Sequence, residues 1–259
     1  MLLPFLEFMP SDTSADTLAV RASLSHSPML YIIPSAIEET ANVALHAPAI
    51  SSILAEATHF IVESHKAARR FIKMLVPTAD IDGSTFFEYE KQTGKFDLIG
   101  IKEAFLSGKP LVLLSDAGCP GVADPGSAVV ALAHANNIPV VPMPGACSFI
   151  MALMASGLNG QQFAFHGYLP FDKAKRLEAI RIWEQASFRN SATQIVMDTP
   201  YRNQQSLQEL LAGLKPTTQL SISSHLLDKE QLISTKKVSD WRKTQINLPK
   251  APTVFLFQA

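Results

Sequence analysis

Apolar residues along this chain fall into two kinds of run that alternate. Short continuous blocks, such as LVLL at 111–114, have the length and makeup of β-strands. Between them lie longer stretches whose apolar residues recur every three or four positions, as on an amphipathic helix. On this pattern strands are predicted at 29–33, 59–62, 111–115, 139–141, 163–166, 193–197, 219–223 and 253–257. Helices are predicted near 48–56, 65–75, 97–107, 126–136, 147–156, 173–187 and 201–214. Such alternation predicts an α/β fold with a largely parallel sheet in the first half. No apolar period lasts before Met29, and the polar, turn-forming run SDTSADT makes residues 1–28 an N-terminal extension. The Pro-Met-Pro-Gly punctuation at 142–145 divides the remainder into an N-terminal α/β domain, 29–143, and a C-terminal α/β domain, 144–259.

Composition narrows the class. With 47% hydrophobic and 17% charged residues in 259, the chain has ample material for a core and is not intrinsically disordered. Its 22 basic and 23 acidic residues nearly cancel, so a polyanion would have to be held by a local patch rather than by a bulk field. Cys119 and Cys147 form no CxxC pair and no disulfide framework, which fits free thiols in a reducing cytoplasm. The apolar start MLLPFLEFMP lacks the charged region of a signal peptide. The uncharged stretch 138–158 is broken by Pro139, Pro142, Pro144 and Gly145, so it reads as strand, turn and helix rather than a membrane span. A soluble cytoplasmic protein is the expectation.

The densest cluster of glycine and proline follows a predicted strand directly, in LVLLSDAGCPGVADPG at 111–126. Asp116 stands at the carboxyl end of that strand, where open α/β sheets present ligand-binding groups. Gly118, Gly121 and Gly126 permit positive φ or close backbone approach, Pro120 and Pro125 stiffen the loop, and Asp124 is a candidate cap for the next helix. The loop is long for such a connection, which favours a functional role. Other signatures are missing: there is no GxGxxG or Walker A loop, no HExxH or HxH pairing and no GxSxG. No metal site is expected.

The segment SDAGCPGVADPG resembles the SDAGxPGxSDPG signature of the tetrapyrrole methylase family, in particular its branch of small-subunit ribosomal RNA methyltransferases. Three further segments are similar to that branch in the same order: PGACSFIMALMASGL at 144–158 to PGPSAxxxALxxSGL, GYLPFDKAKR at 167–176 to GFLPxKxxxR, and DTPYR at 198–202 to ESPHR. The resemblance implies two αβα domains with S-adenosylmethionine (SAM) in the cleft between them, a homodimer, and methylation of a ribose 2′-hydroxyl of 16S rRNA in the ribosomal subunit. It also implies a cofactor site. Pro34 would end the first strand at the pocket. Asp116 and the backbone of Gly121, Val122 and Ala123 would hold the methionine portion. Cys147 and Ser148 would stand beside the cofactor, and Met197, Pro252 and Thr253 would flank the adenine. An acidic side chain and backbone carbonyls suit a ligand carrying an ammonium and a sulfonium.

A ribose hydroxyl is a weak nucleophile that needs its proton removed. Candidate bases are Glu63 and Asp198, with Glu88 a third choice. Lys66, Arg69, Arg70 and Lys73 share one face of the 65–75 helix, and Lys173, Lys175, Arg176 and Arg181 cluster after GYLP. Of these, Lys66, Arg69, Arg70, Lys175 and Arg176 are the candidate phosphate contacts. The chain departs from the branch in its N-terminal half. PTPIGNLxD is replaced by a Pro34-Ser35-Ala36-Ile37-Glu38-Glu39 run, AEDTR by Val62-Glu63-Ser64-His65-Lys66, and YHEHN by Phe87-Glu88-Tyr89-Glu90-Lys91. Two alternatives therefore stand beside the rRNA enzyme: a methyltransferase acting on a tetrapyrrole or other small molecule, and a catalytically silent SAM-binding regulator.

Overall fold

The computed structural model describes residues 28–37, 46–90 and 93–259. The N-terminal extension, apart from Pro28, and the Glu38-Glu39 departure lie outside the described residues. The first five strands, β1 (Leu30–Ile33), β2 (His59–Val62), β3 (Thr85–Glu88), β4 (Leu111–Leu114) and β5 (Val140–Pro142), form one sheet in the order β3-β2-β4-β1-β5. Every pairing in it is parallel, as expected for the first half of the chain. Alternation along the strands sorts side chains to two faces. Tyr31, Ile33, Phe60, Val62, Val112 and Leu114 pack under α1 (Pro48–Glu56) and α2 (His65–Leu75). Leu30, Ile61, Leu111 and Leu113 pack under α3 (Leu98–Leu106) and α4 (Ser127–Ala135).

The second sheet takes β6 (Phe163–Tyr168), β7 (Thr193–Asp198), β8 (Gln219–Ser224), β9 (Leu232–Lys237) and β10 (Thr253–Gln258), in the order β6-β7-β10-β8-β9. Here β6 and β7 are parallel and the other pairings antiparallel. One face carries α5 (Ser148–Ser156) against Ile195, Val254 and Leu256. The other carries α6 (Lys173–Asn190), α7 (Asn203–Gly213) and the short α8 (Val238–Trp241) against Val196, Ile222, Phe255 and Phe257. Both sheets are thus covered on both faces, the αβα layering that the resemblance implies.

Three elements, β3, β9 and α8, are absent from the sequence expectation. β3 is a half-exposed edge strand, and β9 is an edge strand ending in two lysines, so neither carries a buried apolar run. The N-cap of α4 is Gly126 at φ +140° with no side-chain cap, so Asp124 does not cap that helix.

Arg176 is also not where its charge suggests. It is 3% exposed, and its guanidinium grips the Glu209 carboxylate of α7 through both Nε and Nη2. Its Nη1 donates to the carbonyls of Pro170 (2.8 Å) and Phe171 (3.0 Å). The Glu209 carboxyl is held below the usual carboxylate range, chiefly by that hydrogen-bonded arginine. Arg176→Met should destabilise the protein by about 3–5 kcal/mol, because it strands the Glu209 charge in the interior. The double variant Arg176→Met/Glu209→Leu should recover most of that loss in urea titrations.

Candidate functional site

The carboxyl ends of β1, β2 and β4 point to one side, where the loops after them meet the second sheet. The loop after β4 is closed on itself by Gly121 N–H to the Pro125 carbonyl (3.2 Å) and Val122 N–H to the Cys119 carbonyl (3.1 Å). It is locked to the end of β1 by a reciprocal Ser35–Gly118 bridge, with N···O distances of 2.8 and 3.2 Å. Gly126 at φ +140° holds a conformation strained for any L side chain, and a Cβ there would press on the Gly121 nitrogen and a Leu113 methyl at 3.2 Å. Ala123 holds φ +60° without being glycine, a strained conformation of the kind found at ligand sites.

Four carboxylates approach this loop, each in a different state. Glu63 ends β2 and accepts the Asp116 backbone N–H through Oε2 (3.2 Å). Asp116 accepts the Ser64 hydroxyl (2.9 Å), which also caps α2 by accepting from Ala67 N–H. Asp124 has no hydrogen-bond or ion-pair partner among the described residues, and burial together with Glu63 and Asp116 pushes its carboxyl up to about 6. Asp198, whose side chain is fully buried, is saturated. It accepts from Thr199 N–H (2.8 Å), Arg202 Nε (2.9 Å) and the Ser206 hydroxyl, and forms an ion pair with Arg202 Nη2 at 2.7 Å. That saturation removes Asp198 from the candidate bases; it braces the end of β7 instead. Glu88 is engaged by His65 N–H at the start of α2 (3.0 Å).

Next to the loop lies a largely apolar pocket lined by Ile37, Ser148, Tyr168, Met197, Leu226, Pro252, Thr253 and Val254, with Asp198, Ser223 and His225 also in its wall. Four of the expected cofactor residues, Ser148, Met197, Pro252 and Thr253, therefore converge on one cavity. The Ser148 hydroxyl faces the Met197 sulfur at 3.8 Å, which ties α5 to β7. Pro34 is buried against the turn after β5, since a Cβ on Gly145 would lie 2.4 Å from the proline Cβ. Cys147 is the N-cap residue of α5, and the Cys119 thiol contacts both it and the Ala146 carbonyl (3.4 Å). Burial first, then Cys147 and Asp124, push the Cys119 thiol up to about 11.

Sequence reasoning missed Tyr168 and Ser223. Tyr168 enters the pocket because β6 carries one extra residue between Phe165 and Tyr168, where Gly167 adopts φ +70°. Burial and the nearby Asp124, Glu63 and Asp198 raise its phenol pKa and keep it protonated. Ser223 Oγ is buried without a partner and its residue lines the pocket, leaving a hydroxyl for a ligand. No signal in the sequence marked either; an inserted residue in a strand is visible only once the strand is paired.

The basic candidates separate. Lys66, Arg69, Arg70 and Lys175 are exposed. Arg69 pairs with Asp82 at 2.6 Å, and Lys73 of the same face serves the carbonyls of Pro77 and Ala79. Arg70 lines a second pocket together with Ser35 and Asp116. Arg176 is interior and cannot reach a phosphate. No group of three or more metal-ligating side chains is present among the described residues, and no helix there is long and apolar enough to cross a membrane.

Because the Asp124 carboxyl binds its proton more tightly in the folded chain, stability is highest below its unfolded value of 3.8 and falls as pH rises through about 6. Solvent screening at this half-exposed group reduces the effect to on the order of 1 kcal/mol. Asp124→Asn should therefore be more stable than the wild type at pH 8 and indistinguishable from it below pH 4, as measured by urea titration at the two pH values.

Comparison with known proteins agrees with this geometry. The chain is 29% identical over 234 residues to a ribosomal RNA small subunit methyltransferase I of Vibrio cholerae, covering 89% of this chain and 77% of that protein. It is 32% identical over 184 residues to a protein of the same name from Streptococcus pyogenes, covering 71% of this chain and 60% of the relative. The fold is similar, with a TM-score of 0.54 at 14% identity, to uroporphyrin-III C-methyl transferase from Thermus thermophilus complexed with S-adenyl homocysteine, over 89% of this chain and 97% of that one. A family model described as Tetrapyrrole (Corrin/Porphyrin) Methylases matches residues 39–240, running from the first sheet across the junction to α8. A match of that extent, on a chain whose two sheets meet at the glycine loop, makes the chain a member of the tetrapyrrole methylase family.

Proposed function

We propose that this chain is a SAM-dependent methyltransferase that acts on a ribose hydroxyl of small-subunit ribosomal RNA, as a cytoplasmic homodimer. The observation that carries the cofactor reading is the juxtaposition of a carboxylate rim with an apolar pocket that keeps an unpaired buried hydroxyl, Ser223 Oγ. That pairing complements a ligand with a cationic end and a heteroaromatic end. The residues fit the cofactor: Asp116 and the 121–123 backbone suit the methionine portion, and Met197, Val254 and Pro252 suit the adenine. The acceptor reading is supported by the two rRNA methyltransferase relatives.

When bound, SAM supplies a methyl carbon made electrophilic by its sulfonium. The chain's own work is alignment and proton removal. Glu63 is the base that the geometry favours: Oε2 is steadied by Asp116 N–H, and Oε1 makes no hydrogen bond among the described residues. Asp198 holds β7 in place while Met197, its neighbour, presents the pocket wall. Tyr168, protonated, can donate a hydrogen bond toward the same cleft.

Incubating the protein with labelled SAM and 30S ribosomal subunits tests the reading. Label in 16S rRNA at a ribose is expected; label only in a tetrapyrrole, or none with tight SAM binding, would replace it with the small-molecule or regulator reading. Asp116→Ala should weaken SAM binding by at least about tenfold in calorimetry, the value of one charge-assisted hydrogen bond. Glu63→Gln should lower kcat by about 10²–10⁴-fold while leaving SAM affinity near that of the wild type.

A further inference from the structure

The loops after β6 and β7 each present an aromatic ring to solvent: Phe171 lies three residues past Tyr168 and Tyr201 three residues past Asp198, and Tyr168 and Asp198 both line the pocket. Phe171 is 87% exposed and Tyr201 is 93% exposed, whereas Tyr168, at the end of β6, is half-exposed. β6 and β7 are parallel neighbours, with Tyr168 in register with Met197, so the two loops leave the sheet side by side. Arg202, next in sequence to Tyr201, donates to the Leu169 carbonyl (3.0 Å) and places its guanidinium 5.2 Å from the centre of the Phe171 ring.

These rings are exposed on braced backbone. The carbonyls of Leu169, Pro170 and Phe171 all accept from guanidinium groups, the first from Arg202 and the others from Arg176. Both arginines are anchored to carboxylates, Asp198 and Glu209. The Phe171 ring, left 87% exposed, buries little apolar surface for the fold, and the Arg202 guanidinium lies over it. Preorganisation of this kind serves binding, because little freedom remains to be lost when a partner arrives. The surroundings set the partner's charge. Lys173 and Lys175 are exposed at the start of α6, and Asp172 beside them is used to cap that helix through Lys175 N–H (2.9 Å). Lys250, also exposed, lies between Pro249 and Ala251, whose carbonyls accept from Asn203 Nδ2 at the start of α7.

We propose that Phe171 and Tyr201 form a stacking platform for unpaired bases of an RNA strand, flanking the nucleotide that enters the cleft. The proposal rests on the RNA reading above and extends it to how the strand is held. Flat rings offer every base a π-face, while the lysines meet the backbone phosphates, so the platform takes single-stranded RNA with little base preference. Tyr168, three residues before Phe171, lines the pocket near Asp124, Glu63 and Asp198.

The test compares Phe171→Ala and Tyr201→Ala with the ring-keeping variants Phe171→Tyr and Tyr201→Phe in the full-length protein. Binding of a fluorescent unstructured oligoribonucleotide at fixed salt is measured, together with KM for 30S subunits, SAM affinity and mass by light scattering. Each alanine variant should weaken oligonucleotide binding and raise KM by about tenfold. kcat, SAM affinity and mass should stay unchanged, and the ring-keeping variants should behave as the wild type. Unchanged oligonucleotide binding in the alanine variants would overturn the platform. So would a halved mass, which would make the rings part of a contact between copies of the chain. If the wild type binds the oligonucleotide through these rings yet methylates no rRNA, the acceptor reading falls and the platform stands.

Discussion

Negative charge at the strand ends is the constraint around which this molecule is arranged. Glu63, Asp116, Asp124 and Asp198 converge where the two sheets meet, and such groups cannot all be ionised there without compensation. The chain answers each differently. Asp198 is buried with its own arginine, and Glu63 and Asp116 are steadied by a backbone N–H and a serine hydroxyl. Asp124 is left to hold its proton until pH approaches 6. A cation brought to this rim relieves the repulsion, so the site is electrostatically poised for a positively charged ligand before one arrives.

The same compensation explains Arg176, which is buried, and Arg202, which is partly exposed. Each satisfies a carboxylate and, with its remaining N–H groups, the carbonyls of the loop after β6. Lysine could not substitute, because its compact ammonium lacks the fork that reaches a carboxylate and backbone carbonyls together. Loop carbonyls that would otherwise need water are paired, and the loop conformation becomes part of the core. The presentation of Phe171 then follows from these guanidinium–carbonyl bonds together with the Arg202 guanidinium over its ring.

Much of this is legible in the chain, and the rest is not for definite reasons. LVLL at β4 shows as a strand because all four residues are buried, and α2 shows because Phe71, Ile72 and Leu75 fall on one face. β3 and β9 are edge strands whose exposed sides accept polar residues, which erases their pattern. The glycine loop is visible because positive φ demands glycine at 118, 121 and 126. Arg176 reads as a surface cation because a buried, paired guanidinium and a solvated one are the same letter in a sequence. Asp198 reads as a base for the same reason: only its partners show that its lone pairs are occupied. Tyr168 needs the bulge in β6, a property of pairing rather than composition.

Near-neutrality acquires a physical meaning once the basic residues are placed. Of the 22 lysines and arginines, Arg176 and Arg202 serve the interior network, Arg69 has Asp82, and Lys73 serves backbone carbonyls. The charge left to meet phosphates is therefore somewhat smaller than the sequence count suggests, and it is local rather than a bulk field. On the proposed RNA reading, shape and stacking would add to what those local charges supply. Stacking, unlike charge, survives physiological salt, and it holds only strands whose bases are already unpaired. On the proposed RNA reading, such a surface would favour an exposed single-stranded segment over duplex, because that is the form in which a ribose hydroxyl can reach a cleft at the ends of β-strands.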